Sequence, residues 1–201
     1  MSTEKHITDK VIMVTGGTGS FGKQFISHVL KTQSPKKLIV FSRDELKQFE
    51  MQKDYGNNDV LRFFLGDVRD QDRLLRAFHG VDVVIHAAAV SDFQLKRPFK
   101  AKLRSGKRLT LELVATAKLI EGIKRKNPNI FLVGFKLEPT LNKNSARRFV
   151  RDLFKKAKCD LVVVNSLNRG QYSAFIVNKD NNIIASAKNR NSIVQALIKT
   201  I

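Results

Sequence analysis

Apolar residues follow two rhythms along the chain. Continuous apolar runs of strand length occur at "KVIMVT" (10–15), "KLIVF" (37–41), "LRFFL" (61–65), "DVVIHA" (82–87), "IFLVGF" (130–135) and "DLVVVN" (160–165). Between them lie amphipathic stretches of helical length at about 20–32, 44–54, 70–79, 116–127, 143–157 and 190–200. Strands that are apolar on both faces and alternate with helices predict a parallel sheet covered on both sides. The order βαβαβαβ, an interruption, then αβαβ predicts a three-layer, doubly wound, Rossmann-like α/β fold, its mostly parallel sheet ordered 3-2-1-4-5-6. Near the end, "SAFIVNKDNNIIAS" reads as two short strands around "KDNN", an antiparallel hairpin at the sheet edge before the last helix.

The interruption, residues 91–112, holds seven Lys or Arg between 96 and 108 and closes in the alternating "LTLEL". This pattern predicts a flap or β-arm rather than a crossover helix. At 201 residues and 42% apolar content the chain suits one domain with one substantial core, residues 1–201, built from halves 1–89 and 90–201. Without an 18-residue apolar run, or a hydrophobic middle in its first 15 residues, it is expected to be a soluble, cytoplasmic protein that does not enter membranes. The lone Cys159 reads as a packing residue, and His6, His28, His79 and His86 lack ligand spacing, so no metal site is expected. The net charge of +19 attracts polyanions, and non-specific, salt-sensitive nucleic-acid binding is one expectation. No zinc-finger spacing, RNP-like aromatic sequence or basic zipper accompanies that charge.

The first chemistry lies in "VIMVTGGTGSFGKQF". Gly16, Gly19 and Gly22 follow a buried strand and open a helix: the first permits a tight turn, the second the approach of a pyrophosphate, the third close helix–strand packing. The second strand ends in "FSRDELKQ", where Ser42, Arg43 and Lys47 offer a hydroxyl and two cations in place of the ribose-binding acid of an NAD site. This favours NADP.

"VTGGTGSFGKQF", "FSRDELKQFEM", "LRFFLGDVRDQDRL" and "GVDVVIHAAA" together resemble the N-terminal region of the UDP-N-acetylglucosamine 4,6-dehydratases, extended short-chain dehydrogenases, over residues 8–89. The resemblance implies NADP held by Gly16, Thr18, Gly19, Ser20 and Phe21, with Arg43 and Lys47 on the 2′-phosphate. It also implies Asp67 and Val68 at the adenine and Ala87, Ala88 and Ala89 along the ribose. That family uses a Tyr-x-x-x-Lys pair to move a proton during hydride transfer. Here the tyrosines are Tyr55 and Tyr172, followed four places on by Asp59 and Ile176, so dehydratase activity is not expected.

From residue 87 onward the resemblance changes. "AAAVSDF" (87–93), "KLRSG" (102–106), "LTLELVATAKLI" (109–120), "NIFLVGFKLE" (129–138), "CDLVVVNSL" (159–167) and "AFIVNKDNN" (174–182) resemble the C-terminal part of phosphopantothenate–cysteine ligase of coenzyme A biosynthesis. That resemblance implies CTP or ATP with Mg²⁺, Asp92 near the triphosphate or its Mg²⁺, and Lys102 stabilising the reacting phosphate. It further implies Phe135 and Lys136 beside the base, Asn165 on the next strand end, and a homodimer joined by the flap arm. The ligases' Asn-x-Ser-Ser-Gly sequence is replaced here by "GSFGKQFISHVL". The expectation is a recombined protein, engineered or a natural mosaic, that binds NADP or another nucleotide or phosphorylated small molecule. The alternative is an active ligase.

Overall fold

In the computed structural model, residues 6–97, 99, 106 and 108–201 are described. The chain runs through β1 (Val11–Thr15), α1 (Ser20–Thr32), β2 (Lys37–Ser42), α2 (Glu45–Tyr55), β3 (Leu61–Leu65), α3 (Gln71–Ala77) and β4 (Val83–His86). An arm of β5 (Phe93–Leu95) and β6 (Leu113–Ala115) follows, then α4 (Ile120–Lys126), β7 (Phe131–Leu137), α5 (Lys143–Phe149) and a π-helical turn at Leu153–Ala157. The last elements are β8 (Leu161–Asn168), β9 (Gln171–Asn178), β10 (Ile183–Ala187) and α6 (Arg190–Ile198).

Among the described residues, eight strands form one sheet in the order β3-β2-β1-β4-β7-β8-β9-β10. Its first six are parallel, and because β7 and β8 are the fifth and sixth long strands, this is the expected 3-2-1-4-5-6 order. β9 and β10 add the antiparallel edge. The β8–β9 ribbon extends beyond its expected length to a turn at Arg169 (φ 48°) and Gly170 (φ 78°). Two successive left-handed residues match the twist of the flanking strands.

One face of the sheet is covered by α1, α2 and α6, through Phe25, Ile26, Val29, Met51, Ile193 and Leu197. The other is covered by α3, α4 and α5, through Leu74, Phe78, Ile123, Ala146 and Val150. Two expected helices are shorter than their apolar pattern. The one expected at 116–127 begins at Ile120, because Leu113–Ala115 pairs with β5. The one expected at 143–157 breaks after Phe149 and resumes in the π-helical turn. Among the described residues, β5 within the expected interruption pairs with β6 just after it, an arm closed by Lys96 N–H to Glu112 O and Thr116 N–H to Asp92 O, while residues 98, 100–105 and 107 lie outside the described residues.

Both halves align their strands with the same device, an aspartate just before a strand that accepts the N–H at the start of its neighbour. Asp82 accepts from Val11 N at 2.7 Å, and Asp160 from Leu132 N at 2.8 Å. Asp160 also pairs with Lys124 Nζ at 2.6 Å, where the lysine side chain is only 15% exposed. Removing that carboxylate strands a donor and a largely buried cation. Asp160→Ala is therefore expected to cost about 2 kcal/mol and to lower the thermal midpoint by about 4–8 °C. An unchanged melting curve would contradict this account.

Candidate functional site

A cleft of about 820 Å³ opens at the carboxyl ends of the parallel strands, where a doubly wound sheet holds its ligands. Its floor is the glycine turn. Gly16 has φ +66°, and a Cβ there would sit 2.8 Å from Ala88 Cα. A Cβ on Gly22 would meet Gly17 O at 2.4 Å, so this glycine lets α1 close onto the turn. Gly19 differs: its added Cβ would meet only Gly16 O, at 3.1 Å, and its other side faces the cleft. It is also the N-cap of α1, yet no side chain caps the helix and no acid lies in its first turn. Unpaired N–H groups and the positive end of the helix dipole are thus presented to the cleft beside Ser20 and Phe21.

Short polar links hold this turn. Gly16 N–H bonds Phe41 O at 2.9 Å, and the Thr18 and Ser42 hydroxyls lie 2.8 Å apart. Ser42 also accepts from Asp44 N–H. The Ser42 hydroxyl, expected to face a phosphate, is thus buried and engaged in tying the end of β2 to the glycine turn. Beyond it lies a cluster of three cations and two carboxylates. Lys47 Nζ lies 2.7 Å from Asp44, Arg43 3.8 Å from Asp67, and Arg69 grips Asp67 with Nε and a terminal nitrogen. Hydrogen bonds from Arg69 hold the Asp67 carboxyl below its usual range, and Asp44 raises Lys47. Arg43 is 72% exposed along its side chain and lines the cleft with Lys47, Asp67, Val68 and Arg69. Arg69 has a single signal in the sequence, its place in "GDVRD" two residues beyond Asp67, and was not among the expected site residues.

The third wall is the end of β4, continuing into Ala87, Ala88 and Ala89. Beneath it, Thr15 Oγ1 accepts from Ala88 N–H at 3.3 Å and lies 3.0 Å from His86 Nδ1. Full burial lowers His86 from its ordinary 6.5 to about 4, so the ring is neutral at pH 7.

From the second half, Phe135 at the end of β7 meets Phe21 with ring centres 4.5 Å apart, and Asn165 of β8 lines the cleft nearby. Lys136 does not line it: strand alternation turns its side chain to the opposite face, where it pairs with Glu138 at 3.3 Å. Asp92 stands at the base of the arm, 69% exposed and 3.9 Å from Lys118, also away from the lining. Lys102 lies outside the described residues. Phe93, Gln94 and Thr116 of the arm do face the cleft, and the buried Thr116 Oγ1 makes no hydrogen bond among the described residues. The far wall is Leu137, Leu167, Tyr172 and Arg190. None of these was expected, although "NRGQY" carries the turn signal that brings Leu167 and Tyr172 opposite each other. Among the described residues no group of three acidic, His or Cys side chains could hold a metal ion, and no helix is long and apolar enough to cross a membrane. An open glycine, an uncapped helix start and an unbonded hydroxyl suit a phosphorylated nucleotide.

Two family patterns match the chain and overlap in its middle. Residues 12–110 match the polysaccharide biosynthesis protein family, and residues 70–200 match the DNA/pantothenate metabolism flavoprotein C-terminal domain. The inverting UDP-N-acetylglucosamine 4,6-dehydratase of Campylobacter jejuni (serotype O:23/36) is 54% identical over 81 residues, 40% of this chain and 24% of that protein. The chain thus spans about a quarter of the length of that curated relative. Among solved structures, the DNA/pantothenate metabolism flavoprotein from Streptococcus pneumoniae superposes with TM-score 0.75 at 20% identity, covering 95% of this chain and 97% of that one. The C-terminal domain of the coenzyme A biosynthesis bifunctional protein CoaBC gives 0.67 at 18% identity, covering 98% and 96%. The sequence is chimera-like, dehydratase-like first and flavoprotein-like after, on one Rossmann-like fold.

Because His86 is neutral in the folded chain, the unfolded chain binds one more proton between pH 6.5 and about 4. The stability it contributes is complete above pH 6.5 and falls, by up to about 3 kcal/mol, as pH drops through that window. A His86→Leu variant is expected to be less stable at pH 7 but to lose less than the parent on acidification. Urea titrations at pH 7 and pH 4.5 measure the difference, and equal losses would refute the role given to the ring.

Proposed function

The chain belongs to the family of the DNA/pantothenate metabolism flavoprotein C-terminal domain, and on that premise we propose that it is a recombined nucleotide-binding protein, joined by engineering, whose first half holds NADP. The observation that carries this reading is the uncapped start of α1 over the open side of Gly19, flanked by Arg43, Lys47 and Arg69. The helix start receives the pyrophosphate through backbone N–H groups, while the cations at the ends of β2 and β3 receive the 2′-phosphate. Asp67 keeps Arg43 and Arg69 at the adenosine end, Val68 forms its apolar floor, and Ala87 to Ala89 pass along the ribose. When bound, NADP supplies a hydride acceptor. In this reading the chain lacks the phenol–lysine pair of a dehydratase and the Asn-x-Ser-Ser-Gly segment of a ligase, so neither parent's catalytic set is whole.

A second reading, phosphopantothenate–cysteine ligation with CTP or ATP and Mg²⁺, is favoured by the arm. Its Phe93, Gln94 and Thr116 stand over the same cleft that Asn165 and Phe135 line from below. In that reading Asn165 and Phe135 hold the nucleotide and Lys102 brings positive charge to the reacting phosphate, while Asp92, outside the lining here, would have to turn inward to reach the triphosphate or its Mg²⁺.

The readings separate by ligand. NADPH is expected to bind and raise the thermal midpoint, NADH to bind more weakly, and CTP with Mg²⁺ to have little effect. In an Arg43→Ala, Lys47→Ala variant the NADPH affinity falls tenfold or more, about 1.4 kcal/mol, while NADH affinity changes little. Unaltered NADPH binding by the variant would defeat the phosphate assignment. Pyrophosphate release on adding phosphopantothenate, cysteine and CTP would instead establish the ligase.

A further inference from the structure

The far wall of the cleft carries a cation that neither reading uses. Arg190 opens α6 and lines the cleft beside Tyr172. Its guanidinium lies 5.1 Å from the centre of the Tyr172 ring. The other cations of the lining have acidic neighbours, Asp67 for Arg43 and Arg69 and Asp44 for Lys47. Among the described residues, Arg190 has none. Its backbone is well fixed: the Asn189 side chain caps α6 through Ser192 N–H at 2.8 Å, and Gln24 of α1 bonds Asn191 at 3.3 Å. Tyr172 is half-buried against the core that includes Phe21 and Phe135, and burial keeps its phenol protonated and neutral.

Position gives this cation its meaning. From β2, just past whose end Arg43 stands, to β9, which carries Tyr172, the sheet order counts five strand spacings, or about 24 Å. The cleft therefore has positive charge at both ends, with the glycine turn and the Phe21–Phe135 pair between them. A guanidinium without a carboxylate partner in a concave site concentrates positive potential there. Stacked on a fixed ring, it gives up little freedom when its planar fork binds a carboxylate or phosphate.

We propose that Arg190, stacked on Tyr172, is an anion subsite that selects ligands carrying a second negative group at the end remote from the adenosine phosphate. This rests on the dinucleotide reading of the same cleft. The chemical class is a dinucleotide bearing a terminal carboxylate or phosphate.

NADP and its nicotinic acid analogue provide the test, because they differ only in a carboxamide replaced by a carboxylate at that end. Isothermal titration of the full chain is expected to show the nicotinic acid form binding about tenfold more tightly, as a charge-assisted fork contact warrants. That preference shrinks as salt is raised. In Arg190→Gln the preference disappears, and in Arg190→Lys part of it remains. Equal affinities in the parent, or a preference that survives Arg190→Gln, would overturn the subsite while leaving the cofactor reading intact. If neither dinucleotide binds the parent, the cofactor reading falls and the subsite with it.

Discussion

The parallel pairing of β4 with β1 on one side and β7 on the other is the constraint on which everything else in this molecule rests. Val83 to His86 align with Ile12 to Thr15 and with Phe131 to Gly134, all in register. The polysaccharide biosynthesis and flavoprotein family matches overlap over residues 70–110, and this strand lies within that overlap. A parallel ladder is made of backbone groups, so it accepts two sequence ancestries provided that the apolar residues face the same layers. Here they do: Val83 and Ile85 join the layer under α1 and α6, and Val84 the layer under α3 and α4.

A backbone ladder alone would not secure such an arrangement, because side chains from segments similar to two families must still fill one interior. The test is the contact of α1, from the first half, with α6, from the second. Phe25, Ile26 and Val29 share a fully buried cluster with Ile193, Val194 and Leu197, all at most 0% exposed. The Phe21–Phe135 ring pair and the Gln24–Asn191 hydrogen bond continue the contact toward the cleft. Apolar residues of suitable size pack adequately without a shared history, whereas polar ones need specific partners. The polar crossing at Thr15, His86 and Ala88 has them.

The same geometry explains how the cleft is charged. Strand ends gather residues distant in the chain, and the arm, the β8–β9 ribbon and the start of α6 enclose them. Cationic side chains and the glycine turn from the first half face aromatic and polar groups from the second across a single opening, so a ligand lying in it would touch both.

Much of this was legible in the chain. The strand order, the antiparallel edge and the glycine turn follow from local patterns, because apolar period and glycine spacing act over a few residues. Side-chain direction and partnership do not. Nothing local announces that Ser42 bonds Thr18, that Lys136 turns to Glu138, or that Arg69 grips Asp67. Likewise, only the folded sheet brings Tyr172 and Arg190 to the far wall of a cleft founded on residues 16–22. Sequence by itself determined which segments are strands and which turn is built on glycines. Tertiary structure decided which charges remain uncompensated and where they point, since that depends on neighbours supplied by distant parts of the chain.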